Sequence, residues 1–194
     1  MSSYEYRDRR GVDPISWERF ESLTRELATR IAPWGPELIL GIARGGLFPA
    51  TLLSYALRRE LYPIRLTRRF EDLVVRRTPT WLVKPPAKVR GRRVLIVDEL
   101  ADSGQTLQSA AEVVREMGAA DVRTAALYAH SWASPHPYYV GLVSDALLVN
   151  PWDREILQDG EFVQHPEYTA AIQAQEDADA DADADAAAEA TRTQ

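Results

Sequence analysis

The sequence is organised around the stretch Val94-Leu95-Ile96-Val97-Asp98-Glu99-Leu100-Ala101-Asp102-Ser103-Gly104-Gln105-Thr106. Its first four residues form a continuous run of valine, leucine and isoleucine, which is typical of a strand buried on both faces of a sheet. We expect the strand to end in the acid-rich turn from Asp98 to Gly104, and a helix to run from about Thr106 to Met117. A buried strand that leads through a polar turn into a helix is the repeating unit of a parallel sheet.

Further strands and helices are predicted on both sides of this stretch. They comprise a helix at 17–31, a strand at 37–42, a helix that ends near 57, a strand at 62–66 and strands at 122–129 and 147–149. Residues 67–92 combine arginines with three prolines and show no sustained period, so we interpret most of this segment as a flexible basic loop. The alternation predicts an α/β fold with a central, mostly parallel sheet flanked by helices.

Composition places the chain among cytoplasmic proteins of a single domain. With 194 residues and 45% hydrophobic composition it is long enough for one full core. No apolar run approaches the roughly 20 residues of a membrane span, and the N-terminus lacks the apolar region of a signal peptide. The sequence contains no cysteine, which excludes disulfides, thiolate catalysis and cysteine-based metal sites.

The formal net charge of −6 arises from the C-terminal segment. The last nineteen residues hold seven of the 29 acidic residues, so residues 1–175 carry 22 acids against 22 bases. Alternating aspartate and alanine offers little to bury and repels itself, which predicts disorder. We expect a domain at residues 1–170 and an acidic tail at 171–194.

A basic block interrupts the neutral remainder. Between Arg58 and Arg93 there are twelve bases and three acids, a local net charge of +9. Such a block favours a polyanionic ligand, either a phosphate-rich small molecule or nucleic acid.

The groups that follow the central strand suit a sugar phosphate. A helix N-terminus offers free N–H groups, so Ser103 to Thr106 can wrap a phosphate. The adjacent Asp98 and Glu99 cannot share that phosphate, but they fit ribose hydroxyls or a hard divalent cation. The alternative is a helix start capped by Asp102 or Ser103, which leaves the two adjacent acids unexplained.

This stretch resembles the PRPP (phosphoribosyl pyrophosphate) motif of the type I phosphoribosyltransferases: a hydrophobic strand, two acids, two further residues, then Asp, Ser or Thr, Gly, any residue and Thr. The resemblance implies that Asp98 and Glu99 hold the ribose hydroxyls and Mg²⁺. It implies that Asp102 is the general base, and that the 5′-phosphate is held by Ser103, Gly104, Gln105 and Thr106.

The earlier loop Gly41-Ile42-Ala43-Arg44-Gly45-Gly46 resembles the pyrophosphate loop of the same family. By itself a glycine-rich turn after a strand is common, and this ordinary interpretation stays open. The resemblance implies pyrophosphate binding by Ala43, Arg44, Gly45 and Gly46, with Arg44 also assisting catalysis. It also implies a cis peptide bond between Ala43 and Arg44.

The basic block lies where the family has a flexible loop that closes over PRPP. We therefore expect contacts to pyrophosphate from some of Arg65, Arg68, Arg69, Arg76, Arg77 and Lys84. A solvated basic surface is the alternative for each of them.

Residues 15–155 resemble the bacterial xanthine-guanine and hypoxanthine branch of purine salvage, through Trp17, the loop at 41–47 and Asn150-Pro151-Trp152-Asp153. The resemblance implies a small C-terminal hood, a homodimer or higher homo-oligomer, and base contacts from His130, Leu147 and Val149. His130 stands where that branch has a lysine for the 6-oxo group, and Leu147 where it has a stacking aromatic. A packing role for these residues stays open.

Two functional hypotheses follow. The first is an enzyme that transfers a ribose phosphate from PRPP to a nucleobase, a 6-oxopurine by resemblance, with small molecules as its partners. The second is a non-catalytic protein of the same fold that senses PRPP or a nucleotide, with the basic block on nucleic acid. Retention of Asp102 together with Asp98 and Glu99 favours the enzyme, and no helix-turn-helix segment is evident at either end.

Overall fold

A computed structural model describes residues 9–67, 69–70, 73–74, 80–166 and 168–173. In chain order the elements are β1 (Val12–Pro14), α1 (Trp17–Ile31), β2 (Leu38–Ile42), α2 (Leu47–Leu57), β3 (Glu60–Thr67), β4 (Arg69–Phe70), β5 (Leu73–Val74), β6 (Thr80–Val83), β7 (Arg93–Ala101), α3 (Gln105–Glu116), β8 (Asp121–Ala129), β9 (Tyr139–Val143), β10 (Leu147–Val149), β11 (Glu155–Gln158) and β12 (Glu161–Gln164). Residues 168–173 are helical as well. Among the described residues, no helix is long and apolar enough to cross a bilayer.

The contacts divide the chain into a larger unit, Glu18–Ser144, and a smaller unit drawn from Met1–Trp17 and Asp145–Gln194. The larger unit contains a six-stranded sheet in the order β6-β3-β2-β7-β8-β9. All neighbouring strands are parallel except β6, which runs antiparallel to β3 at one edge. The predicted α/β fold with a mostly parallel central sheet is confirmed.

Alternation along the central strands explains why helices cover both faces of this sheet. On β7, Val94 and Ile96 pack in the cluster that includes Leu107, Ala110 and Val114 of α3. Their neighbours Leu95 and Val97 belong to a second cluster, with residues of α1 and α2. Because successive side chains of a strand point to opposite faces, the four consecutive apolar residues supply both cores.

The amphipathic pattern of α1 also appears in the structure as predicted. The helix runs from Trp17 to Ile31 and buries Phe20, Leu27 and Ile31 on one side. A short 3-10 turn at Ala32–Trp34 follows it, and Pro33 lies within that turn. Proline prevents continuation of the α-helical hydrogen bonds, so the helix ends where the pattern ends.

The sequence-based expectation for β7 is corrected at its carboxyl end. The strand was expected to end in a turn at Asp98, but it continues to Ala101 because β8 goes on pairing with it. Pairing with β2 stops at Val97, since β2 itself ends at Ile42. Asp98 and Glu99 therefore lie on a part of β7 that pairs with β8 only. On the other side, the loop that follows β2 can approach them. The structure also adds β6 and β9 as edge strands.

The smaller unit contains two short pairs of strands. The pairing of β1 with β10 is parallel, and β11 forms an antiparallel hairpin with β12. Leu147 and Val149 of β10 are buried in a cluster with Tyr168 and Ala171. These C-terminal elements are the ones predicted as a hood. The domain boundary expected at residue 170 stays a prediction, and residues 174–194 of the expected tail lie outside the described residues.

Candidate active site

Three loops follow neighbouring strands at one edge of the central sheet. Residues 43–46 follow β2, residues 102–104 follow β7, and the segment from residue 130 onward follows β8. The three strands are adjacent and parallel, so their carboxyl ends lie at the same edge. This is the edge where open α/β sheets collect ligands.

Asp98 and Glu99 form an acidic pair at this edge. The Glu99 backbone N–H donates a hydrogen bond of 2.9 Å to Asp98 Oδ1. Although Asp98 keeps some accessible surface, its carboxyl group is desolvated. Desolvation is the largest cause that raises the pKa of Asp98, and the neighbouring Glu99 carboxylate raises it further. The hydrogen bond from the Glu99 N–H acts in the opposite direction, and the resulting pKa is about 8. At neutral pH this pKa keeps the Asp98 carboxyl mainly protonated, and a cation bound beside it would favour its ionised form.

The glycines of the first loop contact this acidic pair. A Cβ atom on Gly45 would overlap the Glu99 carboxylate, with both oxygens and the carboxyl carbon inside its contact radius. A Cβ on Gly46 would lie 2.8 Å from Asp98 Cα. Only glycine allows the backbone of this loop to approach the end of β7 so closely. The structure thus brings together the two motifs that the sequence separates by about fifty residues.

Arg44 is the free cation of the first loop. Its guanidinium is exposed and has no hydrogen-bond or ion-pair partner in the described part of the chain. The peptide bond between Ala43 and Arg44 is cis, as the resemblance implies. The Arg44 carbonyl accepts the N–H of Leu47, so α2 begins directly after this loop, with Gly46 at its N-cap.

The second loop carries Asp102 into the start of α3. Gly104 takes a left-handed φ of 76° at the N-cap, and the helix begins at Gln105. Asp102, Ser103 and Thr106 are partly buried, while Gln105 is exposed. The first-turn N–H groups of α3 have no acceptor within the helix. Two helix N-termini, those of α2 and α3, therefore flank the acidic pair.

The third loop begins at His130, which is 1% exposed. Its Nδ1 lies 2.6 Å from the Ser144 carbonyl oxygen. A carbonyl oxygen only accepts, so Nδ1 carries the proton, and in the neutral ring Nε2 is an acceptor. The indole ring of Trp132 stacks on His130 at 4.4 Å between centroids and 15° between planes. Trp132 Nε1 also donates a hydrogen bond of 3.3 Å to Asp102 Oδ1.

The remaining predicted site residues lie outside these three loops, although Arg65 directly follows Ile64, whose carbonyl accepts the N–H of Ala43. Leu147 and Val149 are buried in the cluster of the smaller unit described above. Arg65 and Lys84 are exposed. Arg68, Arg76 and Arg77 lie outside the described residues, and so does the side chain of Arg69. The base and loop assignments stay predictions.

Sequence reasoning passed over Trp132 altogether. The signal was present, because an aromatic residue two positions beyond a buried strand of a parallel sheet lies at the ligand-binding edge. What no pattern in the sequence gives is the hydrogen bond to Asp102, since the two residues are thirty positions apart.

The acidic pair is suited to a magnesium ion that arrives with its substrate. No group of three or more His, Asp or Glu side chains in the described ranges is placed to hold a metal. Mg²⁺ prefers oxygen ligands and often takes one or two carboxylates together with substrate phosphates and water. The raised pKa of Asp98 marks a charge that a cation there would compensate. Asp98 and Glu99 fit that kind of site.

Comparisons with known proteins agree with this geometry. Residues 14–155 match the phosphoribosyl transferase domain family. The xanthine-guanine phosphoribosyltransferase of Nitratidesulfovibrio vulgaris is 30% identical over 161 residues, which cover 81% of this chain and 94% of the relative. The enzyme of the same name from Cereibacter sphaeroides is 31% identical over 156 residues, covering 72% of this chain and 85% of the relative.

Solved structures are similar to this chain as well. The purine phosphoribosyltransferase from Pyrococcus horikoshii Ot3 has a TM-score of 0.66 at 29% identity, covering 73% of this chain and 93% of its own. A protein from Neisseria gonorrhoeae has a TM-score of 0.64 at 23% identity, covers 74% of this chain and 90% of its own, and shows the fold alone. With the family match over most of the described residues, this chain belongs to the type I phosphoribosyltransferase family, on the branch of the bacterial xanthine-guanine enzymes, and is a PRPP-dependent pentosyltransferase.

Proposed function

We propose that this phosphoribosyltransferase transfers the 5-phosphoribosyl group of PRPP to a 6-oxopurine and releases pyrophosphate, with Mg²⁺ as its cofactor. The observation that carries the proposal is the contact between the Gly45-Gly46 backbone and the Asp98-Glu99 pair, at the sheet edge between two helix N-termini. In that arrangement the two loops on either side of the acidic pair offer cationic and N–H groups to phosphates. The carboxylates between them suit ribose hydroxyls and a metal ion.

The 5′-phosphate and the pyrophosphate of PRPP bind at opposite ends of this arrangement. Ser103 to Thr106 hold the 5′-phosphate at the start of α3, where N–H groups and hydroxyls donate to its oxygens. The Ala43–Gly46 loop holds the pyrophosphate, and the unpaired guanidinium of Arg44 supplies a positive charge for it. The ribose between them donates its 2′ and 3′ hydroxyls to Asp98 and Glu99.

Bound Mg²⁺ supplies positive charge that lowers the energy of the departing pyrophosphate. Asp98 and Glu99 orient the ribose, and Arg44 neutralises charge as the bond between C1′ and the pyrophosphate oxygen breaks. A ring nitrogen of the purine forms the new bond to C1′ from the opposite face. Its proton passes to the Asp102 carboxylate, so charge and atoms balance across the step.

The purine half of the proposal rests on the named relatives and on the chemistry of the third loop. A neutral His130 donates from Nδ1 to the Ser144 carbonyl, so it has no second N–H for a 6-oxo group. Direct recognition of that oxygen by His130 requires the doubly protonated ring. Leu147 and Val149 contribute apolar surface if they contact the base.

Arginines of the basic block add a closing loop to this site. We propose that some of these bases contact the pyrophosphate when PRPP is bound and keep water away from C1′; the candidates are Arg65, Arg68, Arg69, Arg76, Arg77 and Lys84. Neutralising all six is expected to raise the Michaelis constant for PRPP. An unchanged constant would contradict this part.

We also propose a cytoplasmic location and a homodimer or higher homo-oligomer, and the apolar helix α2 supports the oligomer. Its residues Phe48 and Tyr55 are exposed although the helix is apolar all round, and a helix of that kind is ordinarily covered. Light scattering of the full chain measures this state directly.

The proposed reaction is tested by incubating the protein with PRPP and Mg²⁺ against guanine, xanthine, hypoxanthine, adenine and uracil, while pyrophosphate release is followed. Release with one or more of the three 6-oxopurines is expected. Release only with adenine or uracil would contradict the purine assignment. No release with any base, together with a salt-dependent affinity for DNA or RNA, would favour the non-catalytic alternative.

A further inference from the structure

We propose that Trp132 is the aromatic platform on which the nucleobase stacks, and that its indole N–H holds Asp102 beside that base. The inference rests on the proposed function, since it concerns the base pocket of the same site. It assigns the stacking role to the loop after β8, because the residue expected to stack, Leu147, has no ring.

The exposure of Trp132 is unusual for its surroundings. His130 covers one face of the indole at 4.4 Å, yet Trp132 remains 42% exposed. A substantial part of the indole therefore stays accessible although His130 stacks on it. An indole that is backed by a fixed ring and keeps this much accessible surface is suited to receive a flat aromatic ligand.

His130 is itself held in place behind the indole. Its Nδ1–H donates to the Ser144 carbonyl at 2.6 Å, and its backbone N–H donates to the Ala101 carbonyl at 3.2 Å. The imidazole thus acts as a fixed backing for Trp132. In this arrangement His130 acts on the base through the indole and needs no free N–H.

The backbone on both sides of Trp132 is tied to the loop that carries Asp102. After Trp132, Ser134 N–H donates to the Ser103 carbonyl at 3.1 Å, and before it the His130 N–H donates to the carbonyl of Ala101, which directly precedes Asp102. A Cβ on Gly104 would overlap the Pro135 carbonyl oxygen, so these two loops are packed directly together. The indole is therefore held at a set position relative to the predicted general base.

The hydrogen bond from Trp132 Nε1 to Asp102 Oδ1, at 3.3 Å, links the platform to the proton acceptor. A base stacked on the accessible part of the indole would lie beside the carboxylate that the indole holds. The indole N–H engages Oδ1 and so fixes the orientation of the carboxylate that takes the proton from the ring nitrogen. One residue thereby orients both reaction partners, while PRPP contacts other loops.

Three variants of the full-length protein separate stacking from the hydrogen bond. Trp132→Leu removes both, and Trp132→Phe keeps a ring but loses the N–H. Trp34→Phe is the matched control, because Trp34 Nε1 donates to the Asp121 carboxylate at 2.9 Å, at the start of β8 and so at the opposite edge of the sheet.

We expect Trp132→Leu to raise the Michaelis constant for the base by roughly 10- to 100-fold and to leave that for PRPP nearly unchanged. Trp132→Phe should recover most of the base affinity but retain a lower kcat. Trp34→Phe should change neither constant. Equal increases for base and PRPP in Trp132→Leu, or no increase for either, would overturn the inference.

A binding measurement keeps the inference testable if Trp132→Leu folds poorly or if no base is turned over. GMP, XMP, IMP, AMP and UMP are titrated into the wild type and into Trp132→Phe, with tryptophan fluorescence as the readout and equilibrium dialysis as an independent measure of binding. We expect quenching in the wild type that is lost in Trp132→Phe although the nucleotide still binds. Equal quenching in both proteins, or none in the wild type, would refute the platform.

The two proposals fail separately. If adenine or uracil is the substrate, the 6-oxopurine assignment is wrong, but the Trp132 variants are then measured with that base, since stacking requires only a flat ring. If a 6-oxopurine is used and Trp132→Leu behaves like the wild type, the proposed function stands and the platform is wrong.

Discussion

Substituting Gly45 by alanine tests whether the first loop and the acidic pair form one site. A Cβ at this position overlaps the carboxylate of Glu99, which is the far end of a flexible side chain. The least costly response is for Glu99 to rotate away, with the backbone unchanged. Gly45→Ala should therefore damage binding of PRPP and metal while the fold remains.

The size of the effect follows from what Glu99 does when PRPP is bound. Loss of one hydrogen bond to a charged group costs about 1.5–3 kcal/mol, which corresponds to a rise of about 10- to 150-fold in the Michaelis constant for PRPP. Replacing glycine by alanine where φ is not left-handed is by itself neutral or slightly stabilising. We therefore expect the melting temperature to change by less than about 3 °C.

Steady-state kinetics gives the Michaelis constant for PRPP, and thermal unfolding of the same preparation gives the melting temperature. Gly118→Ala is the control, because Gly118 has a left-handed φ of 89° beyond the end of α3, where the chain enters the amino end of β8. Alanine there costs about 1–2 kcal/mol and should lower the melting temperature without altering the constant for PRPP. An unchanged PRPP constant in Gly45→Ala, or a large fall in melting temperature with it, would refute the proposed contact.

Three further predictions concern single charges of the site. Because the folded pKa of Asp98 is about 8 against 3.8 unfolded, its contribution to stability is present below pH 3.8 and is lost as pH rises to about 8. The advantage of Asp98→Asn over the ligand-free wild type should thus grow by up to about 1 kcal/mol per pH unit and level off above pH 8; a pH-independent difference in thermal unfolding would contradict this. Asp102→Asn keeps an acceptor for Trp132, so it should abolish turnover and spare PRPP binding, and loss of PRPP binding in calorimetry would remove its role as base. Arg44→Met should raise the Michaelis constant for PRPP about 10- to 100-fold with no change in melting temperature, since Arg44 is exposed; a fall in melting temperature would indicate a structural role.

The parts of the fold that could be predicted from sequence are those with a local cause. The helix at Trp17–Ile31 has apolar residues at helical spacing and a proline just beyond it, so both its face and its end were predicted. The run Val94–Val97 indicated a doubly buried strand because a single covered face requires alternation instead. Each of these signals lies within one element.

The edge strands could not be predicted because partners distant in sequence determine them. The strand β9 (Tyr139–Val143) is only half-buried and alternates weakly, and it forms because the end of β8 leaves an open edge for it. The extension of β7 beyond Val97 has the same origin, since Leu100 and Ala101 pair with β8 and lack a partner on β2. The residue pattern of a single strand does not predict a pairing of this kind.

The candidate site also has a part that local sequence signals predict and a part that depends on residues distant in sequence. Its PRPP half consists of two contiguous segments, 43–46 and 98–106, whose residue types and spacing are visible in the sequence. The protonation of His130 is different, because the carbonyl of Ser144, fourteen positions away, determines which ring nitrogen carries the proton. From sequence alone His130 looked like a replacement donor for lysine, whereas its N–H is already engaged.

This division has a physical consequence for which parts of the proposed site tolerate substitution. The PRPP groups are confined to tight loops in which even a methyl group at Gly45 meets the carboxylate of Glu99, so changes there affect all turnover. The third loop is held to the end of β7 and to the loop after it by backbone hydrogen bonds from His130 and Ser134, which a change of side chain at position 132 leaves intact. The aromatic platform can therefore be exchanged without disturbing the PRPP site.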